Sequence, residues 1–238
     1  MTDPVLDKAG KLYHFGYGAF SRKSSNPSLT KEQIGDIDLI LLSHHQHKDN
    51  FDRAGKKFAK SIERVITTVP GAKTLKNGVG LNNWESISVE TPKVPGLKIT
   101  ATPAQHHPWW VPHFIAGDVI GFIIEWDGQE NGAYYISGDT VFFKGIKEIA
   151  HRFTIDVGVF HLGSVQFKHL TGLGQYTFDV KSAINAAEVL NVNTFIPIHY
   201  SGWSHFKEID AMVENKFNQN KCPFKVKWLK SGISCSLA

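Results

Sequence analysis

The 238 residues carry twelve histidines, and several fall in groups: His44, His45 and His47; His106 and His107; and His161, His199 and His205. Imidazole is the commonest side-chain metal ligand and changes charge near neutral pH, so grouped histidines point to metal binding or to acid and base chemistry. Carboxylates stand among them. Asp49 follows His47 by two residues, and Asp139 lies in Ser137-Gly138-Asp139-Thr140, where Gly138 permits a sharp turn. A tight loop can bring two imidazoles and a carboxylate within metal-bonding distance, about 2.0 to 2.2 Å from a shared ion.

The elements that must hold these residues can be read from apolar patterning. Ile37 to Ser43 is a buried-strand run leading into the loop of Ser43 to Asp52, and a helix is predicted from Asp52 to Lys60. Strands are predicted at Arg64 to Thr68, Trp84 to Glu90, Leu97 to Thr102, Val119 to Trp126, Ala133 to Ser137, Asp156 to Phe160 and Thr194 to Ile198. Helices are predicted at Phe178 to Leu190, with Val180, Ala183, Ile184 and Ala187 on one face, and at Phe206 to Phe217. The prolines around 92–95 and 108–112 mark loops. His44 to Asp49, His106, Asp139 and His199 all follow strands directly, and strand ends are where open sheets place sites. No linker or repeat divides the chain, so residues 1–238 read as one α/β domain.

Composition narrows the class. At 42% hydrophobic and 20% charged the chain is an ordinary globular mixture, without the length of apolar sequence a spanning helix needs. Met1 to Pro4 carries no signal-peptide pattern, and the default compartment is the cytoplasm. Cys222 and Cys235 are too few for a disulfide framework and read as free thiols. The net charge of +4 comes from scattered Lys and Arg with no basic block, which argues against a nucleic-acid partner.

Taken in order, the loop His44 to Asp49, then Pro103-Ala104-Gln105-His106, Ser137-Gly138-Asp139-Thr140 and Pro197-Ile198-His199-Tyr200 resemble the metallo-β-lactamase superfamily, whose pattern is H-x-H-x-D-H, a distant His, a bridging Asp and a final His. With Thr2-Asp3-Pro4 the chain looks like the branch of ascorbate-6-phosphate lactonase and the N-acyl-phosphatidylethanolamine phospholipase D type. It looks most like bacterial members whose loop reads S-H-D-x-H-x-D-N-L-D and that carry equivalents of His161-Leu162-Gly163 and Gly202-Trp203-Ser204-His205-Phe206. The likeness spans nearly the whole chain. It implies a four-layer αβ/βα sandwich, two mixed sheets face to face with helices outside, and a metal-dependent hydrolase binding one or two zinc ions. Two ions bridged by Asp139 would hold a hydroxide for attack on a small ester, lactone or phosphodiester substrate.

The implied first-site ligands are His44 or His45, with His47 and His106. Those of the second site are Asp49, His199 and Asn50, with Asp139 shared. Counting back from Asp49, the superfamily spacing selects His45; counting forward from Ser43, it selects His44. Asn50 stands where the superfamily has a histidine, which predicts a weaker second site or a harder ion such as Mn²⁺. Asp49 and His161 are the candidate catalytic side chains, Asp49 to orient water or pass on its proton. His205 reads as a residue behind the ligands or a substrate contact, Asp52 as a helix start, and the Trp109-Trp110 loop between His107 and His113 as a candidate roof of the pocket. Relatives place a pair of strands ahead of Asp3-Pro4, so the first strands of the fold are expected to be lacking here. The sheet edge thus bared would invite pairing or a homo-oligomer.

Two other functional classes compete. A superfamily nuclease would suit the basic balance, but the span from His106 to His199 is filled by ordinary core elements and leaves no room for the nuclease branch's inserted domain. A non-catalytic metal-binding protein would suit Asn50 and the short start. A flavo-diiron role lacks the extra carboxylate in the first loop.

Overall fold

The computed structural model describes residues 1–91, 93–167 and 172–236; Pro92 and the side chain of His113 lie outside what is described. Residues 12–22 fold into a hairpin, β1 (Leu12–Gly16) and β2 (Ala19–Arg22), which forms a two-stranded sheet and is tied to Ser204 through Ser204 N to Arg22 O (3.0 Å). Its turn holds Gly16, Tyr17 and Gly18 at φ of 92, 48 and 78°, a run of positive values that two glycines make affordable. A single helical turn, α1 (Lys31–Ile34), opens on a capping box between Thr30 and Gln33.

Two larger sheets follow. The first is β3 (Leu39–Leu41), β4 (Arg64–Thr68) and β5 (Gly78–Leu81), with α2 (Arg53–Ala59) between β3 and β4 and the short α3 (Val69–Ala72) between β4 and β5. The second has seven strands: β6 (Ser86–Ser88), β7 (Lys98–Pro103), β8 (Ile120–Glu125), β9 (Ala133–Ile136), β10 (Ile155–His161), β11 (Thr194–Ile198) and β12 (Lys225–Val226), lying side by side in chain order. Among the described residues, four helices connect them: α4 (His113–Ala116), α5 (Lys144–Arg152), α6 (Val180–Leu190) and α7 (Asp210–Asn218). From β6 to β9 the pairing is antiparallel and from β9 to β12 parallel. The expectation of two mixed sheets is corrected in one respect. The small sheet is parallel throughout, because α2 and α3 each return the chain to the same edge.

Side-chain packing shows four layers. Leu41, Ile66 and Leu81 of the small sheet pack with Ile99, Ala101, Phe122 and Ile136 of the large one, so the sheets are face to face. Ile40, Leu42 and Val65, one residue out of phase, point the other way onto Phe58 and Ala59 of α2. On the far side, Ile123, Tyr135 and Phe195 meet Ile146 and Ile149 of α5, Ala183 and Ile184 of α6, and Val213 and Phe217 of α7. The period-2 alternation of strands and the 3.6 period of helices thus assign each apolar residue to one of three interfaces. Each fully buried Phe or Ile contributes about 1.5 to 3 kcal/mol by leaving water.

The predicted strands and helices form within a few residues of their expected bounds. Not predicted were the hairpin, the glycine-rich β5, α5, whose buried apolar side chains are Ile146 and Ile149, and the short α1, α3, α4 and β12. The outer edge of β3 is covered by residues 1–3: Leu41 N donates to Met1 O (2.8 Å), Asp3 N to Leu41 O (3.1 Å) and the amino terminus to Leu39 O (2.9 Å). The bared edge anticipated from the short start is therefore paired by the chain itself. Cys222 and Cys235 are unpaired. Among the described residues no helix is long and apolar enough to cross a membrane.

Candidate metal centre

Strands β7, β9, β10 and β11 run in one direction, so their carboxyl ends share one edge of the large sheet, and β3 ends beside them. Each delivers a residue there. The loop after β3 is tied at both ends: Ser43 N donates to Asp3 Oδ1 (2.8 Å) and Ser43 O accepts from Ile120 N (3.1 Å). At its far end Phe51 is fully buried and Asp52 caps α2, accepting from Gly55 N (2.7 Å) and from Asp7 N (2.6 Å). The loop carrying His106 is tied to the one carrying Asp139 through Gln105 N to Thr140 Oγ1 (2.9 Å) and Val141 N to Gln105 O (2.9 Å).

Asp139 is aimed by Gly138, at φ 59°, where a Cβ would lie 2.6 Å from Ile120 O. His199 itself sits at φ 60°. A left-handed conformation in a non-glycine residue directly after a strand is strain of the kind found at functional sites, and it turns the imidazole back toward the sheet end.

Two trios of donor atoms result, each within 4.8 Å: His44, His47 and His106, and Asp49, Asp139 and His199. In the first, His47 Nδ1 stands 3.2 Å from His44 Nε2 and 3.1 Å from His106 Nε2. His106 Nδ1 donates to Tyr176 O (2.7 Å), which fixes the tautomer and leaves Nε2 a bare lone pair. Burial first, and then the neighbouring imidazoles, hold His44 well below the usual histidine range; burial is likewise the main cause for His106, and it brings His47 down to about 4. The separations of 3.2 and 3.1 Å are close to the edge of about 3.3 Å of a tetrahedron with 2.0 to 2.1 Å bonds.

In the second trio, His199 Nε2 lies 3.6 Å from Asp49 Oδ2 and His199 Nδ1 lies 3.6 Å from Asp139 Oδ1. Burial opposes charge on His199, but Asp139 and Asp49 outweigh it and raise its pKa to about 9. Burial raises the Asp139 carboxyl, whereas at Asp49 the neighbouring imidazoles of His199 and His205 overcome burial and keep it well below the carboxylate range. Asp139 Oδ2 is 3.9 Å from both His44 Nε2 and His106 Nε2, so this carboxylate faces both trios. A divalent cation fits. His199 Nε2 is buried with no hydrogen-bond partner among the described residues, its nearest acceptor being Asp49 Oδ2 at 3.6 Å, and three imidazole nitrogens converge in the first trio.

Of the two candidates in the first loop, His44 is in the cluster and His45 is not. Ser43 Oγ holds His44 Nδ1 (2.9 Å) and turns Nε2 inward, while the half-buried His45 leaves Nδ1 unpaired away from both trios. The extra residue before His47 is thus absorbed by the loop. Asn50 stands between the two carboxylates of the second trio. With its amide nitrogen turned to the carboxylates it donates to Asp49 Oδ1 and Asp139 Oδ2, both at 3.2 Å. It clamps two acidic residues together and presents them a donor, not an acceptor.

His161, held above as a catalytic candidate, faces away from the cavity over the site. Its Nε2 is 3.3 Å from Asp3 Oδ2, its Nδ1 3.3 Å from Ser137 Oγ, and its ring packs 5.5 Å from that of His199. It supports His199 from behind. His205 does line the cavity, with Nε2 3.0 Å from Asp49 Oδ2 and Nδ1 2.5 Å from Ser21 Oγ. The Trp109-Trp110 loop is not the roof: the tryptophans are 83% and 54% exposed. Phe15 and Tyr17 of the hairpin, Ile115 of α4, and Val165, Phe167 and Tyr176 close over the site instead. These residues went unread because their contribution depends on tertiary folding of segments with no chemistry in their spacing.

Comparison with known proteins agrees with this picture. The profile of the family described as Beta-lactamase superfamily domain matches residues 1–200. A UPF0173 metal-dependent hydrolase of Nanoarchaeum equitans is 27% identical over 207 residues, covering 83% of this chain and 86% of that protein. Among solved structures, an isothiocyanate hydrolase from Delia radicum gut bacteria superposes with a TM-score of 0.79 at 19% identity, covering 99% of this chain and 91% of the other. A metallo hydrolase from the archaeon Ignicoccus hospitalis gives 0.64 at 22% identity, with 93% and 95% covered. At these identities the structural likeness speaks for the fold.

Proposed function

The chain belongs to the beta-lactamase superfamily, and on that premise we propose that it is a metal-dependent hydrolase, one domain over 1–238, whose first site is His44, His47 and His106 and whose second is Asp49, Asp139 and His199. The observation that carries this reading is the meeting of a neutral three-nitrogen cluster and a two-carboxylate cluster at a single shared side chain, Asp139. The nitrogen-rich trio suits zinc, and the oxygen-rich one suits zinc or Mn²⁺.

When bound, such ions polarise a substrate oxygen and make water nucleophilic at neutral pH. The chain's own residues do the rest. Asp139 spans the two trios and fixes their separation. Asn50 holds Asp49 and Asp139 in register by donating to both. His161, braced by Ser137 and Asp3, keeps His199 from rotating out. Asp49 and His205, 3.0 Å apart at the cavity floor, are placed to orient a water and to hold a proton.

Metal content of protein purified without chelator tests the reading directly. Because Asn50 supplies no ligand to the second site, one ion per chain is expected to survive dialysis and a second to bind only with added Zn²⁺ or Mn²⁺, hydrolysis of ester substrates rising with metal. Two equally tight ions would contradict the asymmetry, and a chain that holds no metal would contradict the whole reading.

A further inference from the structure

The hairpin that walls the cavity also reaches the second trio through His205. Side chains in β2 alternate, so Ala19 and Ser21 face inward while Phe20 and Arg22 face out. Beyond β2 the chain pairs antiparallel with the segment leading to His205. Arg22 N donates to Ser204 Oγ (2.9 Å), Ser204 N to Arg22 O (3.0 Å) and Ser24 N to Gly202 O (2.8 Å), and Lys23 is bridged to Trp203. This register sets Ser21, 1% exposed, beside His205, 4% exposed. A buried hydroxyl left unpaired costs stability, and Ser21 Oγ stands 2.5 Å from His205 Nδ1.

What each group can donate or accept gives the bonds their direction. Asp49 as a carboxylate only accepts, so His205 Nε2, 3.0 Å from Asp49 Oδ2, carries the proton. In the neutral imidazole Nδ1 is then an acceptor, and the Ser21 hydroxyl donates to it. Ser204 Oγ accepts from Arg22 N and lies 3.3 Å from Ser21 Oγ, to which its own hydroxyl can donate. The plane of the His205 ring is set by aromatic neighbours: Phe167 stacks on it at 14°, and the centroids of Phe15, Trp203 and Phe206 lie 5.1, 6.0 and 4.7 Å away. Those contacts fix the plane and not the edge. A half-turn about Cβ–Cγ keeps the ring in place but sets carbon where each nitrogen stood, and the bond from Ser21 opposes that turn.

We propose that Ser21 is a positioning residue of the second metal site: it holds His205 with Nε2 toward Asp49 and so fixes the carboxylate that the second ion needs, which makes the hairpin part of the metal centre. The proposal rests on the two-site reading above and deepens it. Asp49 Oδ2 has two lone pairs, so it can accept from His205 and still face the side of His199 Nε2, 3.6 Å away. Groups that hold a metal ligand from behind typically change metal affinity by about 10- to 100-fold.

The test titrates chains carrying one zinc each with Mn²⁺, the free ion being read by electron paramagnetic resonance, with zinc per chain and melting temperature measured alongside. Ser21→Ala is expected to raise the Mn²⁺ dissociation constant about 10-fold while the zinc is retained. His205→Gln sets an amide N–H where Nε2–H stood and has no use for Ser21. Adding Ser21→Ala to it should therefore change the constant by no more than about 2-fold, the ordinary scatter of additivity. A serine that only stabilises the hairpin would lower the melting temperature in both backgrounds and leave the Mn²⁺ constant alone, and this result overturns the proposal. An equal loss of Mn²⁺ affinity with and without His205 overturns it as well. Should Ser21→Ala not fold, Ser21→Cys keeps nearly the same volume with a weak donor; a raised constant then supports the proposal and a parental one overturns it. A parent chain that takes up no second ion overturns the two-site reading and the proposal with it. A parent that binds two ions, with a Ser21→Ala chain of the same affinities, overturns the proposal alone.

Discussion

Asp139→Ala is expected to abolish turnover, by about 1,000-fold or more, and to strip metal from both sites at once, because a carboxylate between two ions is the compensating charge for each. Geometry singles it out. Its Oδ2 stands 3.9 Å from His44 Nε2 and His106 Nε2 and its Oδ1 3.6 Å from His199 Nδ1, whereas each histidine belongs to one trio. Loss of a single histidine should weaken one ion and leave its neighbour. Asp139→Asn separates charge from shape, since the amide keeps the volume. Burial raises the Asp139 carboxyl above its ordinary pKa, while its charge is the chief cause that raises His199, so the metal-free Asn variant should lower the His199 pKa from about 9. Metal per chain, hydrolysis rate and unfolding midpoint would be measured for all three proteins. Full metal and near-normal turnover in a folded Asp139→Ala protein would end the two-site hydrolase reading.

Gly55→Ala is expected to cost about 3 kcal/mol of stability, although alanine is the better helix former by about 1 kcal/mol. Gly55 lies in α2, where an added Cβ would stand 1.9 Å from Pro4 O and 2.9 Å from the Pro4 carbonyl carbon. Both are backbone atoms, so no side chain can rotate aside and the segment must move. That segment matters to the site. Asp3 accepts from Ser43 N through Oδ1 and faces His161 through Oδ2, and Asp52 ties Asp7 N to the same helix end. The substitution should therefore loosen the loop of His44 and His47 as well as lower the urea midpoint. Lys57→Ala, at an exposed position of the same helix, serves as control and should change stability by no more than about 0.5 kcal/mol. An unchanged midpoint for Gly55→Ala would contradict a tight seat of Pro4 against α2.

Much of the architecture was legible because apolar runs as long as Thr194 to Ile198 or Phe178 to Leu190 carry their own periodicity. The small elements were not. β5 is Gly-Val-Gly-Leu, which has no strand pattern of its own and is held in place by pairing with β4. The hairpin's residues likewise gain meaning only from what they fold against: Phe15 against Phe167 and His205, Ser21 against His205.

The amino-acid sequence by itself determined which residue types reach the sheet end, since the loop of His44 to Asp49, His106, Asp139 and His199 each come after a strand-forming run. Only the tertiary structure decided between His44 and His45, because the choice turns on how a loop tied at Ser43 and Asp52 distributes one extra residue. It alone placed Asn50 between the carboxylates of Asp49 and Asp139, and His161 between Ser137 and Asp3 beside the ring of His199. Those outcomes depend on which atoms face one another across segments far apart in the chain, and side-chain direction at a strand end is settled by packing against those segments.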